Sequence, residues 1–495
     1  VGRRDLRLAL VPFAAALLVA AVVRLGFPFD GLYGQDAYAY FDFARRLGPA
    51  LREGAPLPPF YWPVGYPAVV ALLLPFSGGP GAGQIASVVS CAWGAAATFL
   101  LVRELAPARG VGPALVAGLV VALSGAALRY GQMVMADGVA MGAAATALWL
   151  AARHARTGRG GWLVAAAVVL AWGTITRWMV GLLALPIGVF LLLERRRLRG
   201  DPGSATAVAA PRHLALAAAA ALALLVPQLL ASRTLPASFA EHQWLRGWSP
   251  ANAFTREFHT PDGHQAYRLP VALFYLARLG WPDAFFPALA LLAAVGAWTL
   301  IRDRRWSEVV LLVGWPAAAW LFLSGIPYEN PRFLVPVLPA LGALSGLGFS
   351  TLRERISRCG RRALALALCA SIAAGLALGA REHARLVARK NRDLALVSWV
   401  AERVPAGATL LSFGPTLGLR HYGGRLVLDL FEQTPRGLDA LVVDERPLFV
   451  LVDVPNVEHQ WAGLSPHRNL EALRGGPGLS RAGGHPPYTL FRVGR

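Results

Sequence analysis

Residues 32–43 read LYGQDAYAYFDF and come directly after an apolar run at 8–26. A run of that length is what an α-helix needs to cross the roughly 30 Å hydrocarbon core of a bilayer. Arg3, Arg4 and Arg7 precede it, and Arg24, Gly26 and Phe27 stand where a cleavage site would need small residues, so it is read as an uncleaved first transmembrane helix with Arg24 reaching the far interface. The chain then emerges as DAYAYFDFARRL, a helix-forming stretch whose Tyr38, Tyr40, Phe41 and Phe43 suit headgroup depth. Asp36 opens that helix. The plainer role for an acid there is an N-cap. Asp42 lies six residues on, about 120° around a helix axis, so the two acids do not share a face.

Composition extends this reading to the whole chain. Of 495 residues, 56% are hydrophobic and 15% charged, a balance that points to repeated bilayer crossings. Further apolar runs lie at about 84–102, 111–128, 132–152, 161–176, 178–193, 213–232, 283–301, 308–324, 333–351 and 363–380, giving about eleven transmembrane helices in an all-α polytopic domain at 1–380. The stretch 64–77, with Pro67 and Pro75, is short for a crossing and reads as an interfacial or re-entrant helix.

The net charge of +20 sits in short arginine clusters between apolar runs, which argues for topology and against nucleic acid as a partner; Lys390 is the sole lysine. Loops 1–7, 103–110, 153–160, 194–212, 302–307 and 353–362 hold 21 arginines in 58 residues, whereas loops 28–83, 129–131, 176–178, 233–282 and 325–332 hold 11 in 120. The positive-inside rule therefore puts the N-terminus in the cytoplasm and 28–83, 233–282 and everything after 380 on the outer side. The expected location is a bacterial inner membrane. Cys91, Cys359 and Cys369 fall in or beside apolar runs and do not suggest a disulfide framework.

After Arg381 the pattern turns soluble. A helical run LALVSWVAERV, a Pro-Ala-Gly break and the short pieces ATLLSF, RLVLD, LFVLVD and YTLFRV predict a small α/β domain within 381–495. It carries no phosphate-binding glycine fingerprint, paired-cysteine site or nucleophile elbow, and a structural or acceptor-positioning role suits it best.

Four charges stand out because they map to one outer face. Beside Asp36, Asp137 in YGQMVMADGVAM lies early in the fourth crossing, where an ionisable group is costly and marks function by default; the plainer reading pairs it with Arg129. Arg177 in TITRWMVG interrupts an apolar run at an outward turn, and Arg332 in IPYENPRFLVPVLP opens the tenth crossing. Either arginine alone reads as a topology marker. Trp244 and Trp248 would share a helical face if that segment is helical, although interfacial tryptophan belts are the commoner explanation for such a pair. His259 and His264 bracket Asp262 in HTPDGH, a spacing too weak to argue a metal site. No metal or cofactor is expected.

The order of these pieces resembles the GT-C superfamily of integral-membrane glycosyltransferases. The aromatic helix with Asp36, PPFYWPVGYPAVVALLLPF, the acid in the fourth crossing, the outward Thr-Arg and PRFLVPVLPALGAL are similar to the branch of bacterial protein O-mannosyltransferases and the lipid A aminoarabinose transferase, over about residues 5–380. The resemblance implies sugar transfer from a polyprenyl-phosphate donor to a glycan, lipid or protein acceptor. Asp36 would be the base and Arg332 would contact the donor phosphate, with Arg177 and Arg129 as further phosphate-binding candidates. Tyr40, Tyr61, Trp62, Trp244 and Trp248 would face sugar or acceptor. The loop reads Gln35-Asp36-Ala37-Tyr38 without the adjacent acidic pair common in that family, so a second carboxylate falls to Asp42, Glu53 or Asp137. A flippase for lipid-linked sugars and a glycan polymerase or ligase are the rival readings.

Overall fold

The computed structural model describes residues 2–57, 60–198, 208, 210–233 and 247–494. The chain forms two compact units, Val1–Ala240 with Ser249–Phe254 and Val271–Ala384, and Glu241–Trp248 with Thr255–Pro270 and Arg385–Arg495.

Among the described residues the first unit is built of helices and the turns that join them. Its elements are α1 (Arg3–Gly26), α2 (Gln35–Glu53), α3 (Gly65–Ser77), α4 (Gly81–Leu105), α5 (Gly112–Ala122), α6 (Gly125–Gly131), α7 (Ala136–Thr157), α8 (Gly160–Thr176), α9 (Ala184–Arg197), α10 (Pro211–Arg233), α11 (Val271–Arg278), α12 (Pro287–Arg302), α13 (Trp306–Leu312), α14 (Gly314–Ser324), α15 (Leu338–Arg355) and the start of α16 (Arg358–Arg403). Among the described residues seven stretches are long and apolar enough to span a bilayer, and the pair α5 and α6, bent by 48°, makes an eighth. The remaining three expected crossings fall on α7, α8 and α12. Helix α3, at 13 residues, rises only about 20 Å and is too short to cross. The chain is a multi-pass membrane protein.

Local chemistry sets the breaks that matter. The bend between α5 and α6 falls at Ser124, whose Oγ accepts the Ala127 N–H at 3.2 Å and restarts the helix as its N-cap. Helices α4 and α7 pack through small residues: a methyl group at Gly138 would meet the Ser87 carbonyl at 2.7 Å, and one at Gly142 the Ser90 carbonyl at 2.8 Å. Such contacts replace the hydrophobic drive that lipid does not supply between apolar helices. Tyr66, at the start of α3, is fully buried and hydrogen-bonds the Gly83 carbonyl at 3.0 Å and Ser87 Oγ at 3.2 Å.

The second unit holds a five-stranded sheet in the order β4-β3-β5-β7-β6. Strands β3 (Thr409–Ser412), β4 (Leu426–Asp429) and β5 (Leu448–Val452) are parallel, and β7 (Tyr488–Val493) runs antiparallel to both β5 and β6 (Leu479–His485). Every residue of β3 and β5 is buried, as expected of parallel strands covered on both faces. Leu396, Val397 and Val400 of α16 cover one face with Leu410 and Leu451, while Leu438, Leu470 and Leu473 cover the other with Leu411 and Val450. The run LALVSWVAERV is the end of α16 and not a separate helix, because 381–394 contains neither proline nor glycine to stop it. The segment HTPDGH forms the tip of a hairpin, β1 (Glu257–Thr260) paired with β2 (Gly263–Ala266), where loop residues were expected.

Candidate active site

Asp36 lies inside the first turn of α2, whose N-cap is Gly34, so its carboxylate does not cap the helix. It accepts a hydrogen bond from Arg332 Nη2, 296 residues away in sequence. Arg332 sits in the 3₁₀ turn Pro331–Val337, which Asn330 caps by accepting the Arg332 N–H at 3.2 Å. Tyr275 braces this corner: its hydroxyl donates to the Tyr328 carbonyl at 3.0 Å and accepts the Asn330 N–H at 3.2 Å. Both partners of the ion pair are largely buried.

A second pair adjoins the first. Arg177, in the turn between α8 and the 3₁₀ segment Trp178–Leu183, donates from Nε to Asp137 Oδ1 at 3.0 Å. Asp137 is in the first turn of α7 and fully buried. The Arg129 partnership suggested by sequence proximity does not form; Arg129 pairs with Asp283 at 3.3 Å and lies 4.5 Å over the Tyr130 ring. The guanidinium carbons of Arg177 and Arg332 stand 4.8 and 5.6 Å from the centre of the Phe333 ring, which joins the two pairs into one cluster. Asp137 Oδ2 and Arg332 Nε are buried without a hydrogen-bond partner among the described residues.

Aromatic residues wall this cluster. Tyr40 is buried and lies 6.0 Å from Trp62 and 5.2 Å from Tyr66, and Trp62 meets Tyr61 edge-on at 5.1 Å. Burial raises the Tyr40 phenol above its ordinary range, Asp36 and Asp137 add to this, and Arg177 and Arg332 oppose it, so all four charges act on one ring. Nothing in the local sequence announces Tyr66 or Ser87 as supports; their signal is burial, which only the packing reveals.

Residues 63–230 match a family model described as dolichyl-phosphate-mannose-protein mannosyltransferase. No curated protein matches the sequence. Among solved structures, ArnT from Cupriavidus metallidurans bound to undecaprenyl phosphate is 16% identical, covers 98% of this chain and 97% of its own, and superposes with a TM-score of 0.65. The archaeal oligosaccharyltransferase AglB from Archaeoglobus fulgidus, in complex with an inhibitory peptide and a dolichol-phosphate, is 12% identical, covers 91% of this chain and 70% of its own, and superposes at 0.59.

The chain has the GT-C fold.

Within this GT-C architecture the sequence candidates divide. Asp36, Asp137, Arg177, Arg332, Tyr40, Tyr61 and Trp62 gather as described. Asp42 is half-buried on α2 and Glu53 is exposed at its end, so of the three acids considered for a second carboxylate only Asp137 is fully buried. Trp244 lies outside the described residues. Trp248 is exposed, sits in irregular chain and belongs to the second unit. His259 and His264 are register partners whose rings stack at 4.3 Å, and no group of three metal-ligating side chains occurs among the described residues.

Three charged residues of the GT-C unit escaped sequence reasoning. Asp283 holds Arg129, Arg278 stacks 4.3 Å over Trp281, and Glu329 lies three residues before Arg332. Burial pushes the Glu329 carboxyl up to about 7 against the pull of Arg278, and its Oε1 is buried without a hydrogen-bond partner among the described residues. Each stands in a loop or at a helix end, where charge is ordinary.

Proposed function

We propose that this protein transfers a sugar from a polyprenyl-phosphate donor to an acceptor on the outer side of the membrane, with inversion at the anomeric carbon. The observation that carries the reading is the contact between Asp36 and Arg332. It brings a carboxylate and a guanidinium side by side next to the start of a spanning helix, which supports Asp36 as the base and Arg332 as the phosphate contact. ArnT bound to undecaprenyl phosphate and AglB with a dolichol-phosphate have the same fold, which supports a lipid-phosphate donor here.

In the reaction, Asp36 takes the proton of an acceptor hydroxyl as the acceptor oxygen bonds to the anomeric carbon. The bond from that carbon to the phosphate oxygen breaks in the same step, and the polyprenyl phosphate departs with the electron pair. Arg332 stabilises the charge that develops on it, because a guanidinium fork binds phosphate bidentately and stays ionised beside the membrane. Donor phosphate competes with Asp36 for Arg332, so donor arrival frees the carboxylate to act as a base. The Asp137–Arg177 pair holds the neighbouring wall, and donor phosphate draws on Arg177 or Arg129 only by competing with Asp137 and Asp283. Tyr40, Tyr61 and Trp62 line the path of sugar or acceptor, a glycan, lipid or protein. The arginine asymmetry puts the α/β unit on the outer side, where a structural or acceptor-positioning role suits it.

Product analysis in membranes supplied with a lipid-linked sugar tests this. Release of free polyprenyl monophosphate that depends on the acceptor supports the reading. A translocated but intact lipid-linked sugar refutes it in favour of a flippase.

A further inference from the structure

At the opposite end of the helical unit lies a cavity of about 170 Å³ that the proposed reaction does not use. It is lined by Arg109, Ser350, Arg353, Glu354 and Arg361, where the C-terminal end of α15, the start of α5 and the first turns of α16 meet. Its volume is about tenfold what one ordered water requires. Helix α15 separates it from Arg332: its 18 residues rise about 27 Å, close to the hydrocarbon thickness of a bilayer. The cavity and the Asp36–Arg332 pair thus lie at the two faces of the membrane. Both basic loops at this end, 103–110 and 353–362, read from sequence as topology markers.

The arginines here form no ion pair among the described residues and keep most of their donors unspent. Arg353 has no hydrogen-bond or ion-pair partner among the described residues. Arg361 uses only Nε, donating to the Ile356 carbonyl at 3.3 Å. Arg109 is anchored through Nη1 to Thr351 Oγ1 at 3.0 Å. The one lining carboxylate, Glu354, accepts from Ser350 Oγ at 2.9 Å and leaves the arginines unneutralised. Gly112 puts no side chain beside the Arg353 guanidinium, where a methyl group would stand 3.8 Å away.

We propose that this cavity is a binding site for a phosphate-bearing anion, the headgroup of an anionic phospholipid of the leaflet opposite the active site. Converging guanidinium forks match phosphate oxygens, and basic pockets between helix ends at headgroup depth recognise acidic lipid headgroups. A lipid is favoured over a free anion because the cavity opens beside the first turns of α16, whose apolar span is largely uncovered by the rest of the chain, so that acyl chains can lie along it.

The test uses the full chain, purified in detergent and delipidated, with melting temperature as the readout. Arms receive phosphatidylglycerol, phosphatidylcholine or inorganic phosphate. Phosphatidylglycerol should raise the melting temperature by about 3 °C or more, and phosphatidylcholine should not. The shift should fall by at least half in Arg353→Ala/Arg361→Ala, whose exposed side chains are dispensable for folding, and persist in Arg302→Ala, an exposed arginine outside the cavity. Equal shifts from both lipids, or a full shift in the double variant, overturn the site. A full shift from inorganic phosphate alone overturns the lipid assignment.

Discussion

Replacing Arg177 by alanine leaves the Asp137 carboxylate buried without its cation. Asp137 has no exposed surface, its Oδ1 is held by Arg177, and its Oδ2 has no hydrogen-bond partner among the described residues. A carboxylate stranded in this way costs about 3–5 kcal/mol, because its desolvation is no longer offset. At about 2 °C per kcal/mol, the lower end of the range for larger domains, the melting temperature in detergent should fall by about 6–10 °C. Removing both charges with Asp137→Leu/Arg177→Met should recover most of that loss, since apolar replacement of a buried pair is often neutral or stabilising. The double-mutant cycle over Asp137→Leu, Arg177→Met and the two together isolates the interaction. An Arg177→Ala protein that melts within 2 °C of wild type, or a double variant as unstable as the sum of the singles, refutes the buried pair.

Arg332→Ala should weaken donor use by about 1.5–3 kcal/mol through loss of a charge-assisted phosphate contact, and Arg332→Lys should restore only part, because a point charge does not reproduce the fork; donor titration of both variants checks this. Glu329, raised by burial from 4.5 to about 7, binds more protons folded than unfolded between those values, so stability should decline as pH rises through that window and level off above it. Glu329→Gln should flatten that segment of a melting-temperature profile recorded from pH 4.5 to 8. Reporter fusions at about residues 205 and 390 should give opposite signals, cytoplasmic at the first and extracytoplasmic at the second.

The membrane architecture was legible because a crossing needs about 20 apolar residues whatever its neighbours, and each expected run carries a helix. The four charges Asp36, Asp137, Arg177 and Arg332 were legible for the same reason, since ionisable groups near membrane depth are costly. Their pairing was not. Asp36 and Arg332 are 296 residues apart, and Arg129, the sequence neighbour of Asp137, is drawn to Asp283 instead, beyond the break that Ser124 makes between α5 and α6. Tertiary geometry chooses among several equally charged partners, and sequence spacing does not encode that choice. In the soluble unit, β3, β4, β5 and β7 showed apolar β-rich runs, whereas β6, LSRAGGH, is polar and glycine-bearing and is held by its pairing with β7.

The role of Asp36 as base is the centre of this account, and transfer by Asp36→Asn tests it most directly. Asparagine keeps the size of the side chain and can still accept a hydrogen bond from Arg332, but it cannot take a proton from the acceptor. With a lipid-linked sugar donor in reconstituted vesicles, and at a temperature where the variant's melting curve shows it fully folded, turnover measured as acceptor-dependent release of polyprenyl monophosphate should fall by about 10²-fold or more, while Asp42→Asn remains active. Substantial turnover in Asp36→Asn would contradict the assignment and leave Asp36 as a structural partner of Arg332.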